Sequence, residues 1–336
     1  MSVERNCMLK LKYLFENFEL AKCVLINWEH DEENLEEYLN YFRISSNAVY
    51  PFSVQGKRCF LRLAPVDEKQ KNNLAGELEF LQYLNRKGYS AMEPVKARNG
   101  SVLLKLDTKW GEYYASVFEG VRGIPVEETD YREGIMSAYG KALGRLHRLS
   151  MEYQPVCRKW SYIEVLAWVR AVLMEYQDKY PVPEKMYRET ECVEQELSML
   201  ECNKETFGLV HYDFEPDNVF YEEADGSCHV IDFEDGMYHF FLVDVEQVLD
   251  ALSGELEGDV FQQAKQWFLQ GYTSEKELEP DYEKKLPLMR RFCNVFSYAR
   301  LIRCIAEEVP EAPEWMNGLR ERLAGRVRSL EDGIHA

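Results

Sequence analysis

The chain has 336 residues, enough for a large core or two lobes, and its 46% hydrophobic and 13% aromatic content excludes a disordered protein. The net charge of −19 excludes binding to a nucleic-acid backbone, which needs clustered Lys and Arg. The nine cysteines form no C-x-x-C pair, no long apolar run predicts a membrane span, and the charged N-terminus predicts no signal peptide. We therefore expect a cytoplasmic protein with reduced thiols.

The N-terminal region changes from a helical to a strand pattern. Apolar residues recur with mostly helical periodicity over residues 5–29, which predicts one or two helices that lean on the rest of the chain. The acidic run at residues 31–37 is typical of a solvated helix start or turn. Short strands are then predicted at residues 48–50, 52–54 and 59–63, with a turn at residues 55–57.

A cation in the third of these strands is followed by a helix that carries a carboxylate. Arg62 lies between two leucines of the strand, and a helix is predicted by apolar residues at Leu74, Leu78, Leu81 and Leu84, with Gly88 as its stop signal. Glu77 falls on this helix and is a candidate ion-pair partner for Arg62. The alternative is an exposed pair, which is common and contributes little to stability.

A second hairpin marks a boundary between two parts of the chain. Residues 102–106 and 113–118 have the pattern of a closing hairpin, and the glycine-containing segment 119–123 breaks it. We predict an N-terminal lobe over residues 1–118, with a small antiparallel sheet and a helix. A larger, mainly helical lobe is predicted over residues 119–336, so the fold class is α+β and bilobal.

The C-terminal part is predicted to be helical through most of its length. Asp130 and Glu133 have the spacing of a capping box before a helix that ends near His147, for which a cationic or hydrogen-bonding role is favoured over catalysis. Further helices are predicted at residues 162–176, 190–200, 242–252, 261–272 and 288–306, and a charged surface helix at 314–331.

The most informative stretch is residues 207–236. An apolar run leads into His211, Asp213 and Asn218, and the Asp225-Gly226 dipeptide then favours a tight turn between two short strands. The second strand ends at Asp232. Because a hairpin brings its two ends together, Asp213, Asn218 and Asp232 are expected to converge, and oxygen ligands of this kind suit Mg²⁺. A plain acidic loop would explain each residue but not the combination.

The spacing H-x-D-x-x-x-x-N, followed by Asp-Phe at the end of the next hairpin, is that of kinase-fold phosphotransferases. With the motifs at residues 44–50, 60–64, 117–120 and 140–147, the chain resembles the aminoglycoside phosphotransferase/choline kinase family over about residues 40–252. The resemblance implies a protein-kinase-like fold and an ATP- and Mg²⁺-dependent kinase of a small-molecule hydroxyl acceptor. Asp244 is similar to the family's structural Asp at a helix start.

The resemblance also implies roles for single residues. Asp213 would accept a proton from the acceptor hydroxyl or orient it, with His211 behind it as a buttress. Asn218 and Asp232 would hold the metal. Arg62, paired with Glu77, would bind the ATP phosphates. Two further groups complete the predicted nucleotide site: the loop residues Ser46 and Asn47, and the hinge residues Phe118 and Glu119.

The sequence departs from the family pattern at three positions. Arg62 stands where many members have Lys, Tyr212 follows the His, and Glu215 stands where protein kinases have a Lys. The loop at residues 44–47 also contains no glycine. These features leave a non-catalytic, pseudokinase-like scaffold or nucleotide-binding regulator as the alternative, whereas the intact Asp213, Asn218 and Asp232 favour an enzyme.

The acceptor is indicated only by the residues that follow Asp232. Glu234 and Asp235 lie close in sequence to several aromatic residues, and carboxylates beside aromatic rings can hold an amine by charge and by cation–π attraction. We therefore expect a small, amine-bearing hydroxyl compound. The alternative is that both carboxylates bind the protein's own Arg residues or a second Mg²⁺.

Overall fold

An antiparallel sheet of six strands forms the N-terminal part of the fold. The computed structural model describes residues 18–44, 47–306 and 314–334. The strands are β1 (Arg43–Ile44), β2 (Ala48–Val54), β3 (Lys57–Pro65), β4 (Pro94–Val95), β5 (Leu104–Thr108) and β6 (Gly111–Glu119). Their order is β1-β2-β3-β6-β4, and β5 also pairs with β6. The predicted lobe boundary after residue 118 falls at the end of β6 and stays a prediction.

Strand β2 differs from the prediction because it passes through a proline without a break. The two predicted short strands form one, in which Pro51 lies opposite Phe60 of β3. Strand β1 pairs with Ala48 and Val49 and does not extend to Pro51, which therefore lies at the edge of the sheet. A residue without an N–H is tolerated at such an open edge.

Helices cover both faces of this sheet. The helices α1 (Phe18–Leu25) and α2 (Leu35–Leu39) lie on one face, where Leu61 and Leu63 belong to the same apolar cluster as Val24 and Trp28. Successive side chains of a strand point to opposite faces, so Arg62 points to the other face. Helix α3 (Lys71–Arg86) lies there, and its predicted end is confirmed by Gly88, whose φ is +71°.

The C-terminal part is mainly helical, as predicted. Its helices are α4 (Glu133–Glu152), α5 (Tyr162–Tyr176), α6 (Glu184–Ser198), α7 (Leu242–Glu255), α8 (Gly258–Thr273), α9 (Tyr282–Ile305) and α10 (Glu314–Gly333). Helices α4 and α8 approach so closely that a Cβ on Gly140 would lie 1.8 Å from the Phe268 carbonyl oxygen. Glycine is therefore required at this contact.

Three predictions about helix starts were wrong. Helix α4 begins at Glu133 without a side-chain cap, because Asp130 contacts Arg132 instead. A capping box is found at the start of α5, formed by Ser161 and Glu164. Helices α6 and α9 each begin six residues earlier than predicted, at Glu184 and at Tyr282, and α9 continues through Pro287.

Two small sheets are formed by strands that follow the large sheet along the chain. Strands β7 (Ile124–Pro125), β9 (Val219–Glu222) and β10 (Ser227–Val230) form one, in the order β10-β9-β7. Strands β8 (Phe207–Leu209) and β11 (Tyr238–Phe240) form the other. The predicted turn between β9 and β10 is confirmed, with Gly226 at φ +68°. These strands carry the segments on either side of Asp213 and Asp232.

Across residues 18–44, 47–306 and 314–334, no helix combines the length and the apolar character needed to cross a bilayer.

Candidate active site

A buried ion pair connects β3 with α3. The Arg62 guanidinium donates two hydrogen bonds to the Glu77 carboxylate, Nη1 to Oε1 at 2.8 Å and Nη2 to Oε2 at 2.6 Å. Its Cζ also lies 4.8 Å from the centre of the Phe118 ring on β6. Burial alone would lower the pKa of Arg62, but the carboxylates of Glu77 and Glu234 outweigh it and raise that pKa. The geometry excludes the alternative of an exposed pair.

The segment after β8 is organised around His211. Its Nε2 lies 2.9 Å from the Ile231 carbonyl oxygen, and its Nδ1 accepts the Asp213 N–H at 3.2 Å. This pattern requires the neutral tautomer with the proton on Nε2. Desolvation lowers the pKa of His211 to about 4, in agreement with a neutral ring. His211 thus joins the Asp213 loop to the strand end before Asp232, which is the buttress position predicted for it.

Asp244, at the start of α7, binds the backbone of the same segment. Its carboxylate accepts the N–H groups of His211 and Tyr212, each at 2.8 Å, and contacts His147 Nε2 at 2.9 Å. Burial alone would raise the pKa of Asp244, but His147 and His211 outweigh it and lower that pKa. His147 is fully buried inside α4, which continues to Glu152, so the prediction that it ends the helix was wrong.

Backbone strain is concentrated at two positions of this site. Tyr212 has φ +60° and Asp232 has φ +61°, values that residues other than glycine rarely adopt. The two Asp244 hydrogen bonds and the His211 contact to the Ile231 carbonyl hold the backbone at these positions. Such strain persists only where the surrounding structure fixes it, and it is concentrated at functional sites.

Asp213 and Asn218 lie together, as predicted. Asn218 Nδ2 donates to the carboxylate Oδ2 of Asp213 at 2.9 Å and to its carbonyl oxygen at 3.0 Å. Desolvation raises the pKa of Asp213 to about 8, and the carboxylates of Asp235 and Asp232 add to the effect. The site therefore has an excess of negative charge around Asp213.

Asp232 is brought beside Asn218 by the hairpin, because the Ile231 N–H donates to the Asn218 carbonyl oxygen at 3.0 Å. Enclosure by the protein and the Glu234 carboxylate raise the pKa of Asp232 to about 7. Within the described ranges, neither the Asp232 carboxylate nor the Asn218 amide oxygen has a hydrogen-bond partner. A divalent cation would satisfy these oxygens and relieve the repulsion, so the residues fit the metal predicted for them.

Asp232, Asn218 and Asp213 suit a metal ion that takes most of its ligands from groups other than protein side chains. Among the residues that the structure describes, no three His, Cys, Asp or Glu side chains form a closed metal site. Two carboxylates and one amide supply too few ligands for a protein cage. Mg²⁺ is usually bound in this way, through one or two carboxylates, substrate phosphates and several waters.

Glu234 has a different environment from the one predicted for a substrate ligand. One oxygen contacts Lys69 Nζ, and the other lies 3.3 Å from Arg62 Nη1 and accepts a hydrogen bond from Asn47 Nδ2. Burial alone would raise the pKa of Glu234, but Lys69 and Arg62 outweigh it and lower that pKa. Asn47 therefore reaches the site, whereas Ser46 lies outside the described residues.

Two lysines of this site were missed in the sequence. Lys69 precedes α3 in a polar segment with no distinguishing motif. Lys159 is buried and its Nζ donates to the carbonyl oxygens of Phe233 at 3.1 Å and Glu234 at 2.6 Å, which fixes the backbone after Asp232. Burial lowers the pKa of Lys159. Only the fold brings these two residues next to Asp232, so no local signal could have identified them.

Asp235 pairs with a cation of helix α9 at the edge of a cavity. Its Oδ2 accepts a hydrogen bond from Arg300 Nη1 at 2.7 Å. The cavity has a volume of about 190 Å³ and lies between the start of α3, the start of α5 and α9. Aromatic and charged side chains share its wall; they include Trp160, Trp168, Phe296, Glu68 and Arg303.

The backbone of the predicted hinge is partly occupied. The Glu119 N–H donates to the Glu93 carbonyl oxygen, and the Gly120 N–H donates to the Arg58 carbonyl oxygen, both at 2.9 Å. The Glu119 amide is therefore not free for an adenine edge. Phe118 lies against Arg62 through its ring, and its role at the nucleotide stays a prediction.

Comparison with curated proteins identifies relatives that are kinases by name. Amicoumacin kinase of Bacillus subtilis (strain 168) is 24% identical over 318 residues, which cover 89% of this chain and 88% of that protein. Homoserine kinase of Caulobacter vibrioides (strain NA1000 / CB15N) is 24% identical over 217 residues, which cover 64% of this chain and 65% of that protein.

Solved structures show the same fold. An amicoumacin kinase in complex with AMP-PNP, Ca²⁺ and Ami aligns with a TM-score of 0.76 and 22% identity, over 96% of this chain and 95% of that chain. A microcompartment-associated aminopropanol kinase aligns with a TM-score of 0.66 and 19% identity, over 95% of this chain and 99% of that chain. The predicted bilobal, protein-kinase-like α+β fold is confirmed.

The family model of the phosphotransferase enzyme family matches residues 43–278. This range begins at β1 and ends beyond α8, so it includes Arg62, Glu77, Asp213, Asn218 and Asp232. The family resemblance predicted from the sequence is confirmed: the chain belongs to the phosphotransferase enzyme family.

Proposed function

We propose that this protein transfers the γ-phosphoryl group of ATP, with Mg²⁺, to a hydroxyl of a small, amine-bearing molecule. The observation that carries the proposal is the position of Asp213, whose carboxylate is held by Asn218 at the point where the hairpin brings in Asp232. One carboxylate is thus placed to act on an acceptor and the other to hold the metal of the nucleotide.

The nucleotide side of the site is supplied by Arg62. Glu77 holds its guanidinium in one orientation with two hydrogen bonds, so little side-chain entropy is lost when phosphate oxygens bind it. The bound metal would neutralise the phosphates and the carboxylates around it. Asn218 and Asp232 would hold it, and the position of Asn218 would also fix the Asp213 carboxylate.

On the acceptor side, Asp213 would orient the hydroxyl and accept its proton as the oxygen attacks the phosphorus in line. His211 would not take part in proton transfer, because both ring nitrogens are engaged with the backbone and the pKa of His211 is about 4. Its contribution would be to hold the loop that carries Asp213.

The amine of the acceptor is proposed to lie against Asp235. Its side chain is 28% exposed at the cavity wall and has one cationic partner, Arg300. Glu234 is less suitable, since its side chain is 9% exposed and contacts both Arg62 and Lys69. The rings of Trp160 and Phe296 line the same cavity and could add cation–π attraction.

The names of the relatives support this acceptor class. Homoserine and aminopropanol each combine an amine with a hydroxyl in one small molecule, and kinases named for them are similar to this chain. A cavity of about 190 Å³ suits a molecule of this size or one part of a larger acceptor.

The test is an ATP-consumption screen over amino alcohols, homoserine-like amino acids, aminoglycosides and neutral sugars, repeated with Asp235→Asn. We expect an amine-bearing acceptor to be preferred, and its KM to rise at least about tenfold in the variant, since a charged hydrogen bond contributes about 1.5–3 kcal/mol. The KM for ATP is the internal control. Preference for a neutral sugar, unchanged in Asp235→Asn, would refute the amine and leave the kinase reaction standing.

A further inference from the structure

Three donors from separate segments converge on the Glu234 carboxylate. Arg62 comes from β3, Asn47 precedes β2, and Lys69 lies between β3 and α3. The side chains of Arg62 and Lys69 are 6% and 16% exposed, so both cations are largely removed from water at this point. Glu234 is a carboxylate that both cations share, while Arg62 is also paired with Glu77.

This set of donors is also one that binds phosphate. Two cations and a side-chain amide around a single anionic group match the oxygens of a nucleotide phosphate as well as they match a carboxylate. Arg62 is already proposed to bind the nucleotide phosphates, and Lys69 shares its carboxylate partner. Whatever anion occupies this position is therefore within reach of both cations.

We propose that Lys69 is a second phosphate-binding residue, and that Glu234 and the nucleotide phosphates compete for it. This inference rests on the proposed function, because it requires a nucleotide in the cleft. In the ligand-free protein Glu234 holds Lys69 and Arg62 at the site. When the nucleotide binds, its phosphates replace the Glu234 carboxylate as the partner of Lys69.

The alternative is that Lys69 and Glu234 form a structural clasp. The segment before α3 has other attachments that do not need Lys69. Glu68 pairs with Arg303 of α9, and the Trp160 N–H donates to Asn73 Oδ1 at 2.9 Å. These contacts can keep the segment in place when Lys69 is replaced, so the clasp is not required for its position.

The experiment measures the affinity of metal-free ADP by titration calorimetry with EDTA present. Without metal, the interaction of the phosphates with side-chain donors is isolated from the Asp232 site. We expect Lys69→Met to weaken ADP binding about tenfold or more, the loss typical of one charged hydrogen bond. Lys71→Met, at the exposed start of α3, is the matched control and should bind as the wild type does.

Glu234→Gln should have the opposite effect, since it removes the competing charge while keeping the shape of the side chain. Removal of a negative charge could also strengthen ADP binding through space, and the double variant separates the two causes. If Glu234 competes for Lys69, the gain from Glu234→Gln becomes several-fold smaller in the Lys69→Met background. Thermal unfolding of each variant shows whether the fold is retained.

Each outcome decides the proposal. Wild-type affinity in Lys69→Met, or an equal gain from Glu234→Gln with and without Lys69, would overturn the role of Lys69 while leaving the proposed kinase intact. Weaker binding in both single variants would identify a structural clasp. If the wild-type protein binds ADP neither with EDTA nor with Mg²⁺ present, the proposed function fails and the inference fails with it.

Discussion

Asp244→Asn tests whether the active-site loop depends on the carboxylate beneath it. The carboxylate accepts the backbone N–H groups of His211 and Tyr212 and contacts His147. An Asn amide keeps one oxygen, which can still accept one of the two N–H groups. His147 can adapt by changing its tautomer, because its Nδ1 lies 2.9 Å from the Tyr272 hydroxyl, which can either donate or accept.

The expected loss of folding free energy follows from the backbone N–H that is left without an acceptor. One buried backbone N–H would face an amide NH₂, and such a loss of a charged acceptor costs about 2–3 kcal/mol. Out of a total stability of about 5–15 kcal/mol, this should be measurable by urea unfolding. The strained backbone at Tyr212 would also relax, so we expect kcat to fall at least about tenfold at a temperature where the variant is folded.

The control is Asp250→Asn on the same helix. The Asp250 side chain is 55% exposed and pairs with Arg290 at the surface, so its loss should cost no more than about 1 kcal/mol and leave kcat unchanged. Asp244→Asn with the stability and kcat of the wild type would refute the role assigned to Asp244.

Three further predictions concern the phosphate cation, a buried histidine and a helix contact. Arg62→Ala should raise the KM for ATP at least about tenfold, and Arg62→Lys and Glu77→Ala should raise it less. A KM for ATP that is the same in the three variants and the wild type would show that Arg62 does not bind the nucleotide. Burial lowers the pKa of His239 to about 4, so the unfolded chain takes up a proton at a higher pH than the folded protein does. In urea unfolding, the wild type should therefore lose stability relative to His239→Leu as the pH falls from about 6.5 to 4. A difference in unfolding free energy that stays constant over this range would contradict a buried neutral ring. Gly140→Ala should destabilise the protein by more than about 1 kcal/mol because its Cβ would meet the backbone of α8. Gly254→Ala, with open space around its Cβ, should stabilise the protein slightly. Equal effects of the two variants on Tm would contradict the close helix contact.

The sequence predicted those parts of the site that are determined by local spacing. Asp213 and Asn218 are five residues apart on one loop, and a hairpin returns the chain to Asp232, so their convergence follows from chain geometry. The pairing of Arg62 with Glu77 was likewise predictable, because a strand and the helix after it must pack together.

The contacts that the sequence did not predict depend on the tertiary structure. Lys69 and Lys159 reach the segment after Asp232 from positions more than 70 residues away in the chain, and neither stands in a motif. The capping box at residues 130–133 had the right residue types, but Asp130 interacts with Arg132 instead. The apolar pattern predicted a helix from residue 288, whereas α9 begins at Tyr282 and includes Pro287.

The partners of the two predicted acceptor residues also depend on the tertiary structure. Both Glu234 and Asp235 were predicted from their place after Asp232, and the fold gives them different partners. Glu234 contacts Arg62 and Lys69, whereas Asp235 pairs with Arg300 of α9. The cation that pairs with Asp235 comes from α9, which lies more than 40 residues further along the chain.

The most direct test of the central claim is product formation by wild type and Asp213→Asn. Each protein is incubated with ATP, Mg²⁺ and the acceptor preferred in the screen, and the phosphorylated acceptor is quantified by mass spectrometry, with ADP affinity measured in parallel. We predict a phosphorylated product for the wild type, and at least about a hundredfold slower formation by Asp213→Asn at unchanged ADP affinity. Normal turnover by Asp213→Asn, or nucleotide binding by the wild type without transfer to any acceptor, would contradict it.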